Sequence, residues 1–79
     1  MAIATATVTF TVASGLSSQA FSWSSALTSN PPKVLGCGVI VQSGEGPVVP
    51  YLNGNPTNVG GTLNISAATD CTVTLVASD

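Results

Sequence analysis

Residues 4 to 15, ATATVTFTVASG, alternate between hydroxyl and apolar side chains without interruption. A period of two is typical of a β-strand, whose successive side chains point to opposite faces, so the segment predicts a strand over residues 5–13. We expect its apolar residues Val8, Phe10 and Val12 to face a core. The hydroxyl face, which we expect to look at solvent or a neighbouring subunit, consists of Thr5, Thr7, Thr9 and Thr11.

The middle of the chain contains a second long strand pattern. Residues 34–42 are apolar on both faces, which predicts a strand at the centre of a sheet. Gly36 and Gly38 inside this segment indicate a bulge or a close backbone approach. Pro50 in the following short strand, residues 48–52, predicts an edge strand or a bulged strand, because proline has no amide hydrogen for a ladder.

The remaining segments repeat this pattern of short strands and turns. Asn53-Gly54 indicates a tight hairpin turn, and residues 62–67 and 71–77 alternate again. About six short strands without helical periodicity predict one all-β domain over residues 1–79, a small antiparallel sandwich or jelly-roll-like barrel. The predicted core consists of Val8, Phe10, Val12, Trp23, Leu35, Val39, Val41, Leu63, Ile65, Val73 and Leu75.

The chain has very few charges. Charged residues make up 5% of its 79 residues, where roughly 25% is usual, and the formal net charge is −2. Such a short chain buries too little surface for a robust core of its own, which favours oligomers. A surface of hydroxyl and amide groups can pack against other copies of the chain, or against a larger scaffold, without the cost of desolvating ions. The alternative is an ordinary secreted β-domain with a surface rich in serine and threonine.

The residue content argues against an enzyme. The chain has no histidine to serve as a general base, and its three carboxylates, Glu45, Asp70 and Asp79, form no pair in the sequence. Neither cysteine has a histidine to activate it, and the ligands for zinc are too few. A single basic residue makes no footprint for nucleic acid. We therefore expect no catalysis, no cofactor, no metal, no small-molecule substrate and no nucleic acid.

The sequence also predicts the compartment. Its start, MAIATATVTF, lacks the basic region of a signal peptide, and the longest run of low polarity, VLGCGVIV, is too short for a membrane helix. We therefore expect synthesis in a cytoplasm and no membrane contact. In that reducing environment Cys37 and Cys71 are expected to be two free, buried thiols, although a bridge between them would stabilise so small a chain considerably.

The chain resembles the small all-β proteins that decorate phage capsids, often called cement proteins. The resemblance rests on the start running straight into TATVTFTV, the low charge, the middle segment SGEGPVVPYLNGNPTNVGG and the final strand CTVTLVASD. It implies a virion protein, synthesised in a host cytoplasm, that lies on the outer capsid surface as a trimer or dimer and reinforces contacts between major capsid subunits. For this chain we expect a homotrimer. For this role we predict an extended N-terminal arm over residues 1–4, and an assembly interface that consists of Met1, Ala2, Ile3, Ala4, Thr5, Thr7, Thr9 and Thr11.

Two other functional classes remain open. The chain is also compatible with a subunit of a tail, fibre or filament. A third possibility is a carbohydrate- or peptide-binding module, for which Phe21, Trp23 and Tyr51 would supply an aromatic platform. Core or interface packing is the competing interpretation of these three aromatic residues.

Overall fold

The structure, a computed structural model, describes residues 2–41 and 46–79. Within them the strands are β1 (Ile3–Phe10), β2 (Ser18–Ser22), β3 (Lys33–Val41), β4 (Pro50–Leu52), β5 (Gly60–Ile65) and β6 (Cys71–Ser78). They form two antiparallel three-stranded sheets, sheet A with the order β1-β6-β3 and sheet B with the order β2-β5-β4. The helical content of the described residues is one 3₁₀ turn, Val12–Ser14. The prediction of a small antiparallel all-β fold is confirmed.

One apolar cluster joins the inner faces of the two sheets. It draws on alternate residues of β1, β5 and β6, as a period-two pattern requires. Phe21 and Trp23 close one side of the cluster with an edge-to-face contact whose ring centroids are 5.0 Å apart. The Trp23 Nε1–H donates to the Thr57 carbonyl over 2.9 Å, so its polar atom is paired. The buried members are Ala4, Ala6, Val8, Phe10, Phe21, Trp23, Leu27, Leu63, Ile65, Cys71, Val73, Leu75 and Ala77.

The N-terminal arm expected over residues 1–4 is wrong for the part that the structure describes. Ile3 pairs with Ser78, and Ala4 pairs with Ala77, as the first two rungs of the β1–β6 ladder. Ala4 is buried, because its small side chain continues the inward-facing series of β1. Met1 lies outside the described residues.

The alternation of the opening segment ends earlier than predicted. The strand stops at Phe10, and Val12 begins the 3₁₀ turn with half of its surface exposed, so its assignment to the core is wrong. The reason lies across the sheet, where the Asp70 carboxylate accepts the Val12 N–H over 2.7 Å. This bond holds Val12 in the turn that follows β1, instead of in a continued strand.

The prediction that residues 34–42 form a central strand is also wrong. β3 lies at the edge of sheet A, and the central strand is β6. A register shift between Val34 and Gly36 leaves Leu35 as the extra residue of a bulge, which turns its side chain out, 56% exposed, and removes it from the predicted core. Val39 and Val41 pack on the core only in part. Gln42 lies outside the described residues.

The short strand β4 behaves as its proline predicts. It occupies the edge of sheet B, opposite β2. Asn53-Gly54, in contrast, does not form the expected two-residue hairpin, because Asn53 has a negative φ and only Gly54 takes a positive one, 77°. The two residues instead begin a longer connection that reaches β5 at Gly60, and the Asn53 N–H donates to the Thr62 carbonyl over 3.0 Å.

Candidate assembly surfaces

The free edges of β1 and β2 meet and bridge the two sheets. The Ser24 N–H donates to the Thr5 carbonyl over 2.7 Å, and the Thr5 N–H donates to the Ser24 hydroxyl over 3.1 Å. The Gln19 side-chain amide donates to the Thr9 carbonyl over 2.9 Å. These bonds use backbone groups of β1 that point away from β6. We call this side, formed by Thr5, Thr9, Gln19 and Ser24, the closed side of the sandwich.

Asp79 reinforces the same part of the molecule. Its carboxylate accepts the Thr28 N–H over 2.7 Å, the Ala2 N–H over 3.2 Å and the Ser29 N–H over 3.4 Å. These bonds, with the one from Thr28 first, hold the pKa of Asp79 below its ordinary value although desolvation opposes them. The carboxylate therefore ties the start of β1 to the segment between β2 and β3.

The edge of β4 is protected in a different way. The Val49 N–H donates to the Ser66 hydroxyl and the Ser66 N–H donates to the Val49 carbonyl, both over 3.0 Å, so the backbone of Val49 points towards β5. By strand alternation, the backbone groups of Pro50 and Leu52 point to the free edge. Proline has no N–H, so this three-residue edge offers a single backbone donor and is a poor template for another strand.

The free edge of β3 has no comparable protection. The backbone N–H and C=O of Thr5 point away from β6, so the β6 residue opposite Thr5 directs its own backbone groups towards β3. The same holds for alternate residues of β6, which are the ones that pair with Gly36, Gly38 and Ile40. The backbone groups of Cys37, Val39 and Val41 therefore point outwards. Within the described residues nothing pairs with these groups, and none of the nine residues of β3 is a proline.

The inner face of β3 is incompletely covered as well. Cys37, Val39 and Val41 lie opposite Leu75, Val73 and Cys71, which are buried. Directly paired residues share a face, so the three β3 side chains point to the core side of sheet A. Val39 and Val41 are nevertheless half-buried, and Cys37 is exposed. The core between the sheets therefore covers β1 and β6 but covers β3 only in part.

The outer face of sheet A carries an array of hydroxyl groups without charge. Thr7 lies opposite Thr74, and Thr9 lies opposite Thr72, so threonines of β1 and β6 stand side by side. Neighbouring strands are about 4.8 Å apart, and alternate residues of one strand about 6.7 Å, which spaces the hydroxyls regularly. We define the threonine face by its five threonines, all exposed or half-buried: Thr5, Thr7, Thr9, Thr72 and Thr74.

A shallow depression of about 240 Å³ lies at one end of the threonine face. Ile40, whose side chain is 74% exposed, forms one wall of it. No described charged residue lines the depression. Its lining consists of Thr9, Phe10, Thr11, Ile40, Cys71 and Thr72.

Both cysteines are free, but they differ in exposure. Cys71 is buried, and desolvation raises the pKa of its thiol, with a further contribution from the charge of Asp70. Desolvation also raises the pKa of the Cys37 thiol, which is nevertheless exposed. The expectation that Cys37 is buried is therefore wrong, because β3 lies at an edge and the core covers it only in part.

The residues predicted for an interface are divided by the structure. Thr5, Thr7 and Thr9 lie together on the threonine face, and Thr11 is exposed just beyond β1. Ala4 belongs to the core, as described above. The sequence interpretation did not include Thr72 and Thr74, although their alternation with Val73 and Leu75 contained the signal.

The aromatic platform weighed for a binding module does not form. Phe21 and Trp23 are buried in the core, whereas Tyr51 is exposed on β4. The three rings therefore present no common surface to a sugar or peptide.

The described residues contain no cluster of three or more metal-ligating side chains. No helix among them is long and apolar enough to cross a membrane. Comparisons with protein-family models, curated sequences and solved structures gave no match.

Proposed function

We propose that this chain is a non-enzymatic structural protein of a virion, most consistent with a capsid decoration protein. The observation that carries the proposal is the threonine face, a regular and uncharged array on the outer surface of sheet A. Hydroxyl groups can be buried against a partner with modest desolvation cost if each finds a hydrogen bond, whereas charges cost far more. Such a surface suits a permanent contact with a large scaffold.

The partner in this proposal is the major capsid protein, at the outer surface of the particle. The chain associates there with copies of itself as well. Its sequence supports this arrangement, since one lysine and three carboxylates provide few charges to keep a free monomer apart from its neighbours. The wider resemblance to cement proteins supports the same role.

The proposal is tested on virus particles purified by density gradient from the culture that carries the gene. We expect an antibody against the chain to detect it on the particles at a fixed ratio to the major capsid protein. After the chain has been stripped, added wild-type protein should bind again. Detection on tails alone would favour the tail or fibre alternative, and absence from particles would contradict the proposal.

Two matched variants locate the contact. Thr74→Lys places an ammonium group in the middle of the threonine face and should weaken rebinding at least 10-fold, about 1.4 kcal/mol, because the charge would be buried unpaired. Asn55→Lys adds the same charge in the exposed connection between β4 and β5 and should rebind as the wild type does. Equal rebinding of the two variants would show that the threonine face is not the contact.

A further inference from the structure

We infer that the free edge of β3 pairs with the same edge of a second copy of this chain. The two strands run antiparallel about a two-fold axis at Val39, so that sheet A continues as one six-stranded sheet. This inference deepens the self-association included in the proposed function and rests on it for its biological setting. It is tested without particles, so its failure is distinguishable from a failure of the proposed function.

The backbone of β3 supplies the hydrogen bonds for this pairing. Cys37, Val39 and Val41 each point an N–H and a C=O outwards, with no partner within the described residues. In an antiparallel pair centred on Val39, the two Val39 residues exchange both bonds with each other. Cys37 of one copy then lies opposite Val41 of the other, and the same exchange is repeated on each side of the axis.

The side chains of β3 fit a second copy of the same strand. On the inner face, Val39 and Val41 are only half-covered, and in this register Val39 and Cys37 of the second copy lie beside them and extend the apolar surface. On the outer face, the register sets Ile40 of each copy opposite Gly38 of the other. A Cβ built on Gly38 has no atom within 4 Å, so the exposed Ile40 side chain has room to lie over that glycine.

The charges near β3 also favour a copy in antiparallel orientation. Lys33 is the one charged residue of β3, and the antiparallel arrangement places the two copies of it at opposite ends of the paired strands.

The two-fold contact predicts a dimer, in place of the homotrimer that the sequence analysis favours. An edge contact of this length belongs to the small interfaces, below about 1,200 Å² in total, which are typical of weak association. We therefore expect sedimentation equilibrium of the purified chain to show a reversible monomer–dimer equilibrium. Its dissociation constant should be roughly micromolar, which corresponds to a dissociation free energy of about 8.2 kcal/mol. A monomer at every concentration, or a trimer, would overturn the inference.

A charge at the edge should prevent the pairing. Ile40→Lys should weaken dimerisation at least 10-fold, because it removes the apolar contact over Gly38 and brings two positive charges close together. Val59→Lys is the matched control, since it also replaces an exposed branched side chain, but in the connection before β5. Equal dimerisation of the two variants, both with wild-type circular dichroism, would overturn the inference.

Cross-linking tests the register directly and does not depend on a weakened variant. In a Cys37→Ser background, Val39→Cys places one thiol of each copy at the two-fold axis, where a short bis-maleimide should join the two copies. Val49→Cys in the same background is exposed, lies before β4 and should give no dimer. Wild-type Cys37 should not cross-link either, because the two Cys37 residues lie four residues apart along the paired strands, roughly 13 Å. Cross-linking through Cys37 but not through Val39→Cys would overturn the register.

Discussion

The two edge strands of sheet A, β1 and β3, differ in whether their outward backbone groups find hydrogen-bond partners. On the closed side, Ser24 pairs with the N–H and the carbonyl of Thr5, Gln19 pairs with the Thr9 carbonyl, and Asp79 ties the start of the strand. On the opposite side, β3 exposes its backbone and much of both faces. The difference shows that an edge can be protected by neutral side chains within the same chain. Among the described residues, such protection is present at the edge of β1 and absent along the edge of β3.

Charge is the usual device for protecting an edge strand, and this chain hardly uses it. Natural edges commonly carry lysine, proline or a bulge that turns the strand away. β4 has Pro50, whereas β3 has Lys33 as its first residue and a bulge close to it, which leaves the stretch from Gly36 to Val41 regular. The long unprotected edge therefore coincides with the half-covered part of the core.

Thiol labelling should give the largest contrast between the covered and uncovered parts of sheet A. Iodoacetamide should label Cys37 about 100-fold faster than Cys71 in dilute native protein, because labelling of Cys71 requires an opening that costs at least about 2.7 kcal/mol. Peptide mass spectrometry measures both rates, and the unfolded chain provides the control. Equal labelling rates of Cys37 and Cys71 in the native protein would contradict the difference in their burial.

Truncation of two paired valines sharpens the same comparison. Val73 is fully buried, whereas its partner across the ladder, Val39, is half-buried. Val73→Ala should lower the free energy of unfolding by about 2–3 kcal/mol, and Val39→Ala by about 1 kcal/mol or less. Urea unfolding at dilute concentration measures both values, and equal losses would show that β3 is covered as well as β6.

Removal of the bridging side chains should weaken the closed side by a smaller amount. Ser24→Ala with Gln19→Ala removes the partners of the Thr5 N–H and the Thr9 carbonyl, which should cost about 1–2 kcal/mol together. Ser25→Ala, at an exposed neighbouring position, is the control. If urea unfolding gives the same stability for the double variant and the control, these bonds do not hold the two sheets together.

The Asp79 carboxylate should give the smallest effect, which appears only in acid. Its pKa is lowered in the folded chain, so its contribution to stability is present above the ordinary value of 3.8 and is lost as the pH falls through the folded pKa. The difference in stability between wild type and Asp79→Asn should therefore shrink below about pH 4. Melting temperatures of both proteins from pH 2 to pH 7 measure this difference in stability. A difference that stays the same at every pH would contradict this account.

The opening alternation predicted β1 well but not its ends. Ala4 and Ala6 extend the inward-facing series towards the N-terminus, where their small size made them inconspicuous. At the other end, Val12 continues the pattern in sequence but leaves the strand because Asp70, far along the chain, accepts its N–H. A bond between residues 58 positions apart has no local signal in the sequence.

The position of β3 was not predictable for a related reason. A strand that is apolar on both faces is typical of the centre of a sheet, but the pattern states only that both faces suit burial. Here β6, which alternates threonine with apolar residues, takes the centre, and β3 lies at the edge. The threonine face was predicted only in its β1 half, since the pairing of Thr7 with Thr74 depends on the register of the folded sheet.

Residue-resolved amide hydrogen exchange tests the central claim, that β3 is an open edge, most directly. In dilute protein, the amides of Cys37, Val39 and Val41 should exchange fast, and those of Gly38 and Ile40, which point towards β6, should be protected. At concentrations that favour dimers, the three fast amides should become protected as well. Uniform protection along β3 in dilute protein would contradict the account, because it would mean that the same chain already covers this edge.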